Sequence, residues 1–337
     1  MKLGKSSRSA VVVAAAVVVT ASGCSTKAPE SGGGGGGGDA ADVTTDIGVE
    51  GETITLGVLT DLTGVFAALG NDITNANRLF WEDNQVCDTY DVELANGYSY
   101  MFDQGLLAEG DTVGHIYFEG EYGENGLAGS EAVAEERGLT IIPAQIKATD
   151  QDMTAQITQF AAAGVDAIAL TVAPTQTASA AGVAAAQGLN VPIIGSNPVF
   201  APGLLQGPAA QALKDNLYVA SPVSAFDAQP ELLAQYQEAY PNVQPSLGVL
   251  VGYGMSAIMK QVLDAACENG DLTREGVLNA FNELQDVDTG GLVVPINGFE
   301  TGVSPSTQSF ILRPADVPGG ATVVQEAFEG EFAEGLA

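Results

Sequence analysis

From residue 98 to residue 220 the chain alternates between two periods. Stretches with apolar residues three and four apart end on a glycine, and each is followed by a short β-branched run. Residues 98–107 read as a helix closed at Gly110, then 113–118 (VGHIYF) as a strand. Residues 125–137 form a helix stopped at Gly138, with a strand at 139–142; 152–163 stops at Gly164, with a strand at 167–172 (AIALTV). The alanine-rich helix 175–187 stops at Gly188, and strands follow at 191–195 and 217–220. A glycine just past a helix can take the left-handed conformation that satisfies the last carbonyls. Strand starts recur roughly every 26 residues, the length of one strand plus one crossover helix, which predicts a parallel, helix-covered sheet.

The flanks are less regular. Residues 52–59 (ETITLGVL) read as a first strand, followed by a polar loop, 60–70 (TDLTGVFAALG). Asn71 caps a helix with Ile73, Ala76 and Phe80 on one face and Trp81 near its end. Residues 90–94 (YDVEL) read as a short alternating strand. After residue 221 come helices at 229–240 and 250–268, a third at 274–284 capped by Thr273, and short strands at 292–294 and 309–312. The acidic residues beyond Ala321 are expected to fray.

The first fifty residues carry a different signal. Lys2, Lys5 and Arg8 precede an apolar run, 10–20 (AVVVAAAVVVT), which is shorter than the about 20 residues a membrane-spanning helix needs. It fits an export leader covering 1–23. The residues Ala21-Ser22-Gly23-Cys24 look like a bacterial lipoprotein signal, in which Cys24 receives a diacylglycerol; a free Cys24 thiol is the alternative. Two or more acyl chains anchor a protein stably. The stretch 24–51, with seven glycines at 32–38, is then a flexible tether with a reach on the order of 30 Å.

Composition narrows the function classes. The chain has 337 residues, 46% of them hydrophobic, enough for one large or two medium domains with a sizeable core. Eleven Lys and Arg face 42 Asp and Glu, a formal net charge of −31, which repels phosphate backbones and argues against nucleic-acid binding. The three cysteines, Cys24, Cys87 and Cys267, contain no C-x-x-C pair, so neither a zinc ribbon nor a thioredoxin-type site is available. With Cys24 used separately, the remaining two suffice for one disulfide outside the cell or stay as buried thiols.

Catalytic chemistry finds little support. His115 is the only histidine and sits mid-strand, a position more often packed than catalytic. No H-E-x-x-H, G-x-x-x-x-G-K-[ST] or G-x-S-x-G motif is present. The stretch 120–126 (GEYGENG) reads as a strand-to-helix loop but lacks the spacing and lysine of a phosphate cradle. Ligands of parallel α/β sheets sit outside the carboxyl ends of the strands. There the chain offers Glu121 and Tyr122 after one strand, Ala173 to Gln176 after another, and Ser196-Asn197 after a third. Tyr122 brings a flat face and a hydroxyl, Asn197 a donor and an acceptor, and Glu121 a seat for a cation.

The ordered set "ITLGVLTDLTGVFAALG" (54–70), "HIYFEGEYGENGLAG" (115–129), "DAIALTV" (166–172) and "VPIIGSN" (191–197) resembles the substrate-binding proteins of ABC importers of the leucine/isoleucine/valine-binding type, over nearly all of 52–312. The resemblance implies an α/β type I periplasmic binding protein fold: two Rossmann-like lobes, three hinge crossings and a ligand trapped between them. Lobe one would take 52–94 and 222–298, and lobe two 95–221 and 299–337. The family's ligand-packing tyrosine matches Tyr122, its ammonium-holding acidic position falls at Asn197, and its aromatic wall at Ala173. Glu121, Thr175, Thr60 and Thr63 complete the expected ligand set. The replacements at Asn197 and Ala173 open the choice to amides, urea-like compounds or other small polar solutes beside amino acids. Family members carry roughly 70 further residues after the position of Leu94, so lobe one is expected to be an undersized sheet with an uncovered edge. Cys87 and Cys267 both map to lobe one.

The expectation is therefore a monomeric, lipid-anchored extracytoplasmic protein, without enzyme activity, cofactor or metal, that hands a small solute to an ABC permease. Two other readings stay open: a ligand sensor presenting a signal to a membrane receptor, and a secreted hydrolase. The absence of a histidine partner for a nucleophile speaks against the hydrolase.

Overall fold

The computed structural model describes residues 90–299 and 304–333 throughout, together with 63–65, 69–75 and the short strands Val17–Thr20, Thr44–Thr45, Val49–Glu50 and Thr53–Leu56. Cys24, Thr60, Ala76, Phe80, Trp81, Cys87 and most of the tether lie outside the described residues.

The chain forms helix α1 (Tyr90–Asp103), then strand β1 (Thr112–Phe118), helix α2 (Glu121–Arg137), strand β2 (Thr140–Ile146) and helix α3 (Thr154–Ala163). Strand β3 (Ala167–Thr171), helix α4 (Pro174–Ala186), strand β4 (Ile193–Gly195), helix α5 (Ala210–Asn216) and strand β5 (Leu217–Ser221) follow. Strands β6 (Ser309–Pro314) and β7 (Ala321–Phe328) complete a seven-stranded sheet in the order β7-β6-β5-β4-β3-β1-β2. β1 to β5 run parallel, while β6 joins β5, and β7 joins β6, antiparallel.

Alternation along the strands decides which helices cover which face. Val113, Ala167, Ala169, Ile194, Ala220 and Ile311 pack under α1 with Val133 of α2; Ile116, Ile168, Leu170, Val219 and Leu312 pack on the other face with Ile157 and Phe160 of α3, Ala180 of α4 and Leu213 of α5. The small residues on the first face let α1 come close: a Cβ on its Gly97 would stand 2.6 Å from Ile194 Cγ1. Gly138, Gly164 and Gly188 take positive φ, as their places after helices predict.

Two expected features differ. Residues 90–94 are the first turn of α1 and not a strand, so the boundary drawn between Leu94 and Ala95 falls inside a helix. Every residue from Val92 to Met101 is buried, so the apolar stripe that marks an amphipathic helix is missing and five residues alone match either period. Within the described residues, which run to Ala333, the tail beyond Ala321 does not fray. It folds back through a turn at Gly319 and Gly320 as edge strand β7, whose acidic and polar residues suit an outer strand, and Phe332 and Ala333 return to pack on α1.

Between β5 and β6 the chain builds helices α6 (Pro230–Ala239), α7 (Leu247–Glu268) and α8 (Arg274–Glu283), with Gln285–Val287 paired antiparallel to Ile296–Gly298. Ser246 and Thr273 cap α7 and α8 through their side chains. The short helix 69–75 is tied to this part by buried Asp72, whose carboxylate accepts the Ser246 N–H at 3.1 Å and the Tyr236 hydroxyl at 3.3 Å. Cys267, at the end of α7, is disulfide-bonded to a partner outside the described residues. Val17–Thr20, inside the segment read as a leader, pairs antiparallel with Thr53–Leu56, a pairing that lasts only while that segment is attached. Among the described residues no helix is long and apolar enough to cross a membrane.

Candidate functional site

The chain crosses from β1 to β2 on one side and then to β3 on the other, so the strand order reverses between β1 and β3. In open α/β sheets the connections splay apart at such a switch point, and ligands bind in the crevice this leaves at the carboxyl ends of the strands. Gly120, at φ 100°, turns the chain from β1 directly into α2. The expected loop at 120–126 is therefore helical from Glu121. Its glycines serve close packing: Cβ atoms on Gly123, Gly126 and Gly129 would stand 2.0 Å from Phe118 O, 2.1 Å from Thr171 Cγ2 and 2.5 Å from Asp91 O.

That geometry seats Tyr122 at the crevice. Its hydroxyl donates to the Val172 carbonyl at 3.2 Å, leaving Ser196 Oγ, 2.9 Å away, to donate to it in turn. Its ring meets those of Tyr90 and Phe118 edge-on, with centroids 4.6 and 6.3 Å apart. Burial holds the phenol far above its ordinary pKa, so it stays a neutral donor.

Ser196 is followed by Asn197, which joins three elements. Its N–H donates to Glu93 Oε2 of α1 at 2.6 Å, and its Nδ2 donates to Ser221 Oγ at the end of β5 at 2.8 Å. Ser221 Oγ donates onward to the Val223 carbonyl at 2.8 Å. Beyond Ser221 the chain leaves the sheet, and residues 222–224 run beside 292–294 as they return: Ser224 N–H donates to Leu292 O at 3.0 Å, Val294 N–H to Pro222 O at 2.9 Å, and Val223 bridges Val293.

His115 lies one layer deeper, wholly buried in β1. Its Nδ1 is 3.0 Å from Ser130 Oγ and its Nε2 3.0 Å from Thr171 Oγ1, while Tyr98 donates to Ser130. Donors and acceptors match with the proton on Nε2: Tyr98 to Ser130 to Nδ1, then Nε2–H to Thr171 and Thr171 to the Gly123 carbonyl. Burial lowers the imidazole pKa to about 3, so the ring is a neutral brace between β1, β3, α1 and α2.

The residues expected from sequence separate into two groups. Tyr122, Ala173 and Asn197 come together at the carboxyl edge, Ala173 buried at the head of α4 with Pro174 in its first turn. Glu121, Thr175 and Thr63 are exposed, and Thr60 lies outside the described residues. Ser196, named with Asn197 at the third strand end, bonds Tyr122, whereas sequence reading missed Glu93, Ser221 and Ser224. A signal for Glu93 existed, since it is the one charged residue between Val92 and Phe102. Among the described residues no cluster of His, Cys, Asp and Glu could hold a metal ion.

A family model described as "Periplasmic binding protein" matches residues 85–313. Among solved structures, a fatty acid ABC transporter substrate-binding protein from Thermomonospora curvata superposes with a TM-score of 0.83 at 32% identity, over 87% of this chain and 96% of that one. A branched chain amino acid ABC transporter protein from Thermus thermophilus, with bound valine, gives 0.60 at 19% identity over 73% and 66%; a leucine-binding protein from Thermotoga maritima gives 0.59 at 17% over 73% and 67%. The chain thus spans about two-thirds of each of these two amino-acid binders but nearly all of the Thermomonospora protein, so its short form is shared by a solved relative. No curated protein sequence matches it.

Proposed function

This chain belongs to the periplasmic binding protein family, which places it outside the cytoplasm, and we propose that it is the solute-capturing component of an ABC importer. It holds its ligand in the crevice over Tyr122 and passes it to a permease unchanged, as a monomer moored by lipid on Cys24. The sheet with α1 to α5 forms one lobe, and 222–298 with the residues before Tyr90 forms the other. Cys87 is the disulfide partner of Cys267.

The observation that carries this reading is the paired crossing at 222–224 and 292–294, which leaves the sheet beside the crevice. A second body attached through two adjacent strands can swing over Tyr122, and closure is driven by the ligand's preference for the closed state.

The solute is a fatty acid or a similar aliphatic carboxylate, in place of the small polar compound expected from sequence. The polar groups at the carboxyl edge largely satisfy one another: Tyr122 with Ser196 and Val172, Asn197 with Glu93 and Ser221. What they leave for a ligand is ring surface from the half-buried Tyr90 and Tyr122. The relative at 32% identity is described as a fatty acid binder.

Calorimetric titration of the purified protein with straight-chain acids from hexanoate to dodecanoate, and with leucine and valine, tests this. Binding of at least one acid at micromolar Kd or tighter, with a smaller scattering radius in the complex, is expected. No heat and no change in radius with any of them would overturn it.

A further inference from the structure

Buried polar atoms in folded proteins are almost always hydrogen-bonded, because stripping water from an unpaired one is costly. Among the described residues four buried side-chain atoms have no partner: Arg137 Nε, Gln156 Oε1, Gln176 Oε1 and Ser224 Oγ. Arg137 still bonds Glu109 and Glu331 through its other nitrogens, and Gln176 bonds the Asp150 and Ala148 carbonyls through its amide nitrogen. Gln156 is only partly buried. Ser224 is different, since the hydroxyl is its whole polar content and the residue is 1% exposed.

Its place is also distinctive. Ser224 lies three residues past the end of β5, on the crossing that follows Ser221, which Asn197 bonds next to Tyr122's partner Ser196. Its backbone is held by the bond from its N–H to Leu292 O, and its neighbour Val223 is tied through Ser221 to Asn197. Tyr122, Ser196 and Ser221 have their hydroxyl protons committed to the protein, and Asn197 one of its two amide protons, whereas the Ser224 hydroxyl has a proton to give and nothing to receive it.

We propose that the Ser224 hydroxyl is the hydrogen-bond donor to the carboxyl head of the bound solute, with the aliphatic tail lying against Tyr122 and Tyr90. This assignment rests on the solute-binding function proposed above. A hydroxyl on the crossing itself joins ligand to hinge, so the bond forms as the lobes come together and adds to the preference for the closed state.

Ser224→Ala removes the donor and leaves no polar atom unpaired, so the variant folds. In titrations of wild type and variant with hexanoate to dodecanoate, the variant is expected to bind about five- to tenfold more weakly at every chain length, since the lost contact is to the head and not the tail. The ligand-free melting temperature is expected to be unchanged or higher. Affinities within about twofold of wild type would overturn the assignment, and so would a clear fall in the ligand-free melting temperature, which would reveal a partner inside the fold. Should wild type bind leucine but no fatty acid, the solute class proposed above fails separately; the same comparison with leucine then decides Ser224, a loss keeping it as head-group donor and no loss removing it. Binding of none of these probes by wild type would overturn both readings.

Discussion

His115 shows how a titratable side chain can serve packing. Both ring nitrogens are bonded and the folded pKa lies near 3, whereas a histidine in the unfolded chain titrates near 6.5. As pH falls below about 6.5 the unfolded state takes up a proton that the folded state refuses until about pH 3, so this group removes stability on acidification by at most about 1.4 kcal/mol per pH unit. His115→Gln is expected to be less stable than wild type by about 1–3 kcal/mol at pH 7.5, with the gap narrowing toward pH 4.5. Urea unfolding across that range checks it, and a constant gap would show that the ring titrates in the fold as it does in the unfolded chain. That His115 packs within a strand was legible from the alternation of VGHIYF. Its partners were not, because Ser130, Thr171 and Tyr98 come from three other elements. The same holds for the site: Tyr122 and Asn197 follow strands that could be read, whereas Glu93 reaches Asn197 from 104 residues away.

Helices α1 and α2 meet through glycine. Gly126→Ala places a methyl within 2.1 Å of Thr171 Cγ2, and a buried strand residue cannot move aside freely. The substitution is expected to cost about 1–3 kcal/mol despite alanine's better helix propensity. Gly182→Ala in α4 is the control: its Cβ would meet Ala209 Cβ at an ordinary 3.6 Å, so a gain of up to about 1 kcal/mol is expected. Thermal melts of the two variants should move in opposite directions; a matching shift would mean that contact distance does not govern these positions. Helices that stop on glycine could be read because the stop signal is local. The start of α1 could not, because the Tyr90 and Asp91 N–H groups are capped by Asn125 of α2, at 3.1 and 3.0 Å. In sequence Asn125 looks like the start of its own helix.

Over the whole molecule, one sheet with two packed faces carries most of the described core, and the segment inserted between β5 and β6 is joined to it by the paired crossing. The disulfide at Cys267 fastens the end of α7 to chain outside the described residues. Cys267→Ser is expected to lower stability by about 2–4 kcal/mol. Reducing agent should destabilise wild type by a similar amount and leave the variant unchanged; equal sensitivity of both would place the reducible bond elsewhere. The parallel sheet was legible at this scale because strand and helix lengths repeat. The return of the tail onto α1 was not, since an edge strand followed by acidic residues looks like a frayed end until its partner is known.

Asn96 of α1 donates to the Thr307 carbonyl and to Ser309 Oγ, and accepts the N–H of Gly330, 234 positions later. Phe332 packs on the same helix. A ribosome must therefore deliver the polypeptide through Phe332 before α1 can finish burying itself. Until then α1 rests only on α2 and the strands already made, and the polar side of Asn96 waits for the last residues of the chain.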